Sequence, residues 1–194
     1  MALQQGTASK RASTLSVSPH RQTLAQFMQR RGRLVGHFLL SCWAHLLTGM
    51  LGLIVLTALL IPLLSYIGLD VIAKPLFFAL HTICAQIPSH SFSLLGHQLG
   101  LCARNLAIYG SMFAGGIVFV LSKKRLPGIA WWVWVLLILP MAWDGTTQMF
   151  GWRESTWLLR LITGTLFGWG SVWFVFPLMQ KSLLQTPPVS AVSP

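Results

Sequence analysis

Apolar and polar positions along the chain divide it into long hydrophobic runs with polar punctuation. Four runs approach spanning length, at about Leu34–Leu64, Asn105–Leu121, Ile129–Trp143 and Trp157–Met179. A helix needs roughly 20 apolar residues to cross the hydrocarbon core of a bilayer. The first run exceeds that need, which predicts tilt or a protruding end, and Pro62 and Gly68 mark where it stops. Between the first two runs, residues 71–104 are semi-polar. Val71–Ile83 is apolar but too short to span, and Gln86, Ser89, His90, His97, Gln98 and Arg104 follow. Such a segment is expected to re-enter the membrane or lie at its interface. Residues 1–22 and 183–194 read as disordered polar tails around a membrane domain of 23–182. Leu24, Phe27 and Met28, followed by Arg30 and Arg31, predict either a short interfacial helix or an extension of the first span. The expected fold class is all-α: a polytopic membrane helical bundle with about four spanning helices and one re-entrant or interfacial segment.

Composition agrees with that reading. Hydrophobic residues make up 54% of the chain and charged residues 9%, against about 25% charged in an ordinary soluble domain. The net charge of +11 would fit a nucleic-acid partner, but its placement argues against one. Lys10, Arg11, Arg21, Arg30, Arg31 and Arg33 precede the first run, Lys123, Lys124 and Arg125 stand between two runs, and Lys181 follows the last. That pattern is topological: basic segments stay in the cytoplasm. It predicts a multi-pass protein of the cell membrane with both termini cytoplasmic. The three acids, Asp70, Asp144 and Glu154, then fall on the opposite side. No cleavable signal peptide is read in the polar start, and three cysteines do not make a disulfide scaffold.

The densest polar stretch joins the last two runs, from Asp144 to Gly164. If the third helix continues past Pro140, Asp144 and Gln148 share a face at i, i+4. If the fourth begins near Ser155, a residue suited to N-capping, then Arg160, Thr163, Gly164 and Phe167 form a stripe. Arg160 then lies within an apolar pattern, and an ionisable residue at membrane depth is a functional-site hypothesis by default. The candidate polar site is Asp144, Gln148, Arg153, Ser155, Arg160 and Thr163. Two guanidiniums and one carboxylate suit a lipid phosphate. They equally suit an ion pair, Asp144 with Arg160 or Arg153, tying two helices together. A second set is Cys84, His90, His97 and Cys102, whose spacing is not that of a standard zinc finger. Disulfide, free thiols and zinc all remain open for it. Gly164-x-x-x-Gly168 and Gly110-x-x-x-Ala114 are small-residue patterns that permit close helix approach.

Three segments together are similar to a known family. They are Cys84-Ala-Gln-Ile-Pro-Ser-His-Ser-Phe92, then Cys102-Ala-Arg-Asn-Leu-Ala-Ile-Tyr109, then the Asp144–Gly168 stretch. Over about residues 75–170 they resemble prokaryotic predicted membrane proteins catalogued as a domain of unknown function, number twenty eighty-five. In the last segment the set of Asp144, Gln148, Arg153, Ser155, Arg160, Thr163 and Gly164 is intact. The first two depart from the family pattern: Ala85 replaces a His, His90 an Arg, Asn105 a Cys and Ala107 a Gly. The resemblance implies that the Asp144–Gly164 set matters. It also implies that any metal set among the Cys and His residues has lost two ligands here. No cofactor is therefore expected, with zinc the metal to consider. The expected function is a non-catalytic accessory subunit or a lipid- or protein-binding membrane module. The alternative is an enzyme or carrier acting on a lipid-linked phosphate at the extracytoplasmic face. Expected partners are membrane lipids and other membrane protein subunits, with no nucleic acid.

Overall fold

The computed structural model describes the backbone of residues 19–185 and the side chains of residues 42–183. Two compact units divide at Ser41 and Cys42. Of the first, the helical backbone from Pro19 is described, and the segment of Leu24, Phe27 and Met28 belongs to it. The tails expected at 1–22 and 183–194 lie mostly outside the described residues. Where they overlap, residues 19–22 are already helical and residues 183–185 close the last helix.

The elements are α1 (Pro19–Tyr66), α2 (Asp70–Leu80), a 3₁₀ turn (Pro88–His90), β1 (Ser91–Leu94), β2 (His97–Cys102), α3 (Ala103–Leu121), α4 (Trp131–Met149) and α5 (Trp157–Gln185). The fold is a helical membrane bundle. Three helical stretches, Cys42–Tyr66, Ala103–Leu121 and Trp157–Leu183, are long and apolar enough to cross a bilayer. Helix α4 occupies the expected third span but ends in Asp144-Gly-Thr-Thr-Gln148, which dilutes its apolarity. Its length still fits a bilayer. At about 1.5 Å per residue its 19 residues cover roughly 28 Å, close to the ~30 Å hydrocarbon core. Exposed aromatic rings mark both ends, Trp131 and Trp132 at one and Phe150 and Trp152 at the other, as at membrane interfaces.

The semi-polar stretch is built differently from a purely helical expectation. After α2 it forms a two-stranded antiparallel hairpin, with Leu94 opposite His97 and Ser91 opposite Cys102. Leu95 and Gly96 turn the hairpin with positive φ at both positions, the backbone that suits the twist of a two-residue loop. The strands are only four and six residues long, so the segment gives little periodic signal.

Helices α3 and α5 run parallel and in close contact. A Cβ at Gly164 would come within 2.7 Å of the Arg104 carbonyl oxygen, and one at Gly168 would collide with Ser111 and the Ile108 carbonyl. The α5 pattern of small residues is therefore the contact that was expected. Its partner face on α3 is Ala107, Ser111 and Gly115, all buried. Gly110, by contrast, faces open space, so the Gly110-x-x-x-Ala114 pattern is off the seam by about one helical position. Helix α1 approaches α3 where Gly52 meets Phe113 and Thr48 meets Gly116. One core cluster contains Trp43, Ala44, Phe119, Val172 and Phe176. A second, with Ala58, Ile61, Leu80, Cys84 and Leu101, ties α1 and α2 to the hairpin. Leu53, Leu56 and Leu63 of α1 remain exposed, an apolar surface of the kind that lipid covers.

Candidate functional site

The chain order brings three helix ends together. Helix α3 starts, α4 ends and α5 starts at the same end of the bundle, and the hairpin adjoins it through Phe92, whose ring meets Trp157 at 6.2 Å. Helix α4 runs through Pro140 and does not stop at Trp143. Asp144 and Gln148 therefore share the expected face. Gly151, with φ +69°, then closes the helix: the N–H of Trp152 donates to the Thr147 carbonyl at 3.1 Å. A left-handed glycine is the usual way to satisfy these last carbonyls. It also redirects the chain so that Arg153 and Ser155 return toward Asp144.

Asp144 is only 2% exposed, and its carboxylate is fully engaged. Arg104 donates to Oδ2 and forms the shortest ion pair of the site. Arg153 donates to Oδ1 at 2.8 Å, and the Ser155 hydroxyl to Oδ2 at 2.8 Å. Arg104 also donates to the Gln148 side-chain oxygen at 3.1 Å. Of the two pairings read from the sequence, Asp144–Arg153 forms. Asp144–Arg160 does not appear among the ion pairs of the described residues. Arg104 takes that place. It lies 40 residues from Asp144 in the chain, and its only sequence signal was the Cys-Ala-Arg segment of the family resemblance.

Arg160 behaves otherwise. It is 5% exposed, and its Nε has no hydrogen-bond partner. Arg104 Nε is likewise buried without a partner. Arg160 stands in the first turns of α5 and Arg104 in the first turn of α3. Both helices thus direct the positive ends of their dipoles at a region that already holds guanidinium charge. Ser155 does not cap α5, since it is committed to Asp144. The cap is Thr156, whose hydroxyl accepts from the Leu159 N–H at 3.4 Å. Thr163 is buried, but its hydroxyl donates to the Leu159 carbonyl of its own helix at 2.8 Å. It shapes the stripe and offers no donor to a ligand.

The Cys and His set separates into two places. His90, in the 3₁₀ turn, lies within the electrostatic reach of Arg160, Glu154 and Arg104. Burial, then Arg160, holds its imidazole below the ordinary histidine range. His97 lines a groove of about 670 Å³ beside α2, with Asp70, Lys74, His81 and Gln98. Cys84 and Cys102 are in contact, with the Cys102 N–H donating to the Cys84 sulfur at 3.2 Å. No disulfide joins them. Among the described residues no group of three or more His, Cys, Asp or Glu is placed to hold a metal ion. Gln86 has a role that the sequence did not disclose. Its Nε2 donates to the Phe77 and Gly100 carbonyls, both at 2.8 Å, while His81 Nδ1 lies 3.2 Å from its Oε1. These contacts hold a left-handed backbone, φ +51°, at a residue that is not glycine.

A bundle of apolar helices with exposed leucines and a charged cluster at one end defines a multi-pass membrane protein. The chain belongs to the family described as Predicted membrane protein (DUF2085), whose profile matches residues 84–174. That range contains the hairpin, α3, α4 and all six residues of the polar site. An uncharacterized protein of Methanocaldococcus jannaschii is 35% identical over 63% of this chain and 83% of its own length. An uncharacterized protein of Methanothermobacter thermautotrophicus is 34% identical over 45% of this chain and 79% of its own length. No solved structure matches.

Proposed function

We propose that the charged end of the bundle binds the phosphate of a membrane lipid and that the protein is a non-catalytic binding module or accessory subunit. The observation that carries this reading is Arg160, buried with an unpartnered Nε beside Arg104. Three arginines face one buried carboxylate, so the cluster carries excess positive charge. Charges taken out of water are costly unless paired. A phosphate supplies the missing acceptors, and guanidiniums with two helix N-termini suit it. Asp144 then orients Arg104 and Arg153 and is not a base, because both its oxygens are occupied.

The test uses the purified chain in detergent, titrated with a short-chain lipid phosphomonoester, with phosphatidylcholine or with inorganic phosphate, and read by thermal shift. The phosphomonoester should stabilise the chain far more than phosphatidylcholine. Inorganic phosphate acting as well as the lipid would place the recognition in the headgroup alone. Arg160→Gln should weaken the response by about tenfold or more, the loss expected for one charge-assisted hydrogen bond. Equal responses to phosphomonoester and phosphatidylcholine would overturn the reading.

An enzyme or carrier acting on a lipid-linked phosphate is the second reading, and His90 favours it. A neutral imidazole beside an anion site can accept a proton. Release of inorganic phosphate from the phosphomonoester, lost in His90→Ala, would establish it. The reading also places the site on the extracytoplasmic face. Cytoplasmic reporters fused after Arg125 and after Gln185 should be active, and one fused after Gly151 inactive. An active Gly151 fusion would reverse the orientation.

A further inference from the structure

Apart from the arginines, the structure builds a second small site from Cys84 and Cys102. Cys84 follows α2, and Cys102 ends β2 and stands at the N-cap of α3. The Cys102 N–H points at the Cys84 sulfur from 3.2 Å, and each thiol is the strongest influence on the other's charge. The backbone on each side is fixed. Gln86 ties the segment after Cys84 to Phe77 and Gly100, and the Asn105 amide donates to the Ile83 carbonyl at 2.9 Å. Asn105 thus tethers the segment that carries Cys84 beside Cys102. Cys84 is 4% exposed, while Cys102 is half-buried. An incoming reagent therefore meets Cys102 first.

We propose that Cys84 and Cys102 form an oxidisable dithiol, closed to an intrachain disulfide by exchange with a small-molecule or protein-borne disulfide. Cys102 passes its proton to the Cys84 sulfur and attacks one sulfur of the incoming disulfide, and the other sulfur leaves as a thiolate. A mixed disulfide results. Cys84 then gives up that proton and attacks the Cys102 sulfur from inside, and the second sulfur of the reagent leaves as a thiolate. Two electrons and one proton pass from the chain to the reagent, which ends as two thiols when solvent supplies the second proton. In the reduced chain the two sulfurs share one proton. The Cys84 thiol is lowered to about 5, first by the hydrogen bond from the Cys102 thiol and against its own burial, with backbone N–H groups adding to the effect. Cys102 is raised correspondingly, by Cys84 and by burial. The Cys84 thiolate is thus placed to take the Cys102 proton as Cys102 attacks.

The test needs no variant. The full chain, reduced in detergent and then equilibrated with excess oxidised glutathione, is unfolded and labelled with a maleimide. The chain has three cysteines, so the reduced form takes three labels. The oxidised form should take one label, and a single linked peptide should join residues 84 and 102. Reductant should restore all three labels. Cys42→Ala should show the same loss of two labels, which separates this bridge from one involving Cys42. Full labelling after oxidation, a bridge between chains, or protection that a chelator removes without any reductant would each overturn the proposal.

Discussion

At one end of the bundle Trp43, Phe119 and Phe176 meet ring to ring. Their centroids lie 5.2 to 6.0 Å apart, and none of the three pairs is stacked face to face. At the other end Asp144 gathers two guanidiniums and a hydroxyl. The aromatic end joins α1, α3 and α5, and the charged end joins α4 to α3 and to the loop before α5, by different physics. Ring contacts are many, weak and nearly independent of one another, and they lose little when a neighbour shifts. The charged contacts are few and directional, and much of their attraction is offset by desolvation. The aromatic end therefore accounts for cohesion. The charged end adds less net stability than its hydrogen bonds imply.

The largest effect expected is at the aromatic end. Phe119 is almost fully buried at 1% exposure, and Phe119→Ala should destabilise the chain by about 3–5 kcal/mol in denaturant unfolding. Its response to a phosphomonoester should persist wherever the chain remains folded. Loss of that response with the fold intact would merge the two ends into one unit.

An intermediate effect is expected within the charged end. A double-mutant cycle of Asp144→Asn with Arg104→Gln should show coupling of about 0.5–3 kcal/mol. The same cycle with Arg160→Gln should show a smaller coupling, because charge alone and no hydrogen bond links it to Asp144. Strong coupling between Asp144 and Arg160 would remove the distinction between partnered and unpartnered arginines.

These cycles also show what the sequence could disclose. The long helices, the i, i+4 face of Asp144 and Gln148, the stripe from Arg160 and the α5 glycine pattern all follow from local periodicity. They are recovered because a helix fixes neighbours three and four apart. The Arg104–Asp144 pair spans two helices, and no local rule connects them. The hairpin was missed for a related reason. Its alternation, Phe92 and Leu94 against Leu99 and Leu101, is too brief to compete with the surrounding apolar runs. The Gly110 pattern failed because small residues are abundant on α3, and packing chose the face one position away.

The smallest effect concerns His90. Its protonation is disfavoured in the folded chain by burial and by Arg160, so the unfolded chain binds the proton more readily. Stability from this group is then fully present above its unfolded value of about 6.5 and falls as pH drops through its lower folded value. Melting temperature followed between about pH 5 and 7.5 should decline modestly on acidification, and His90→Gln should flatten that slope. An unchanged slope in the variant would assign the decline to another group.

Pro140 gives the charged end a mechanical asymmetry. A proline nitrogen has no hydrogen to donate, so the Leu136 carbonyl lacks its partner in the next turn. The α4 segment beyond it, carrying Asp144 and Gln148, is joined to the rest of its helix by one fewer backbone bond. Arg104 and Arg160 instead ride on two helices locked flush by Gly164 and Gly168. The carboxylate side is thus a short lever, and the guanidinium side is its anvil. Any opening of this cluster swings the last turns of α4 away from a fixed α3–α5 pair, and the Arg104–Asp144 contact is the latch that such a swing must release.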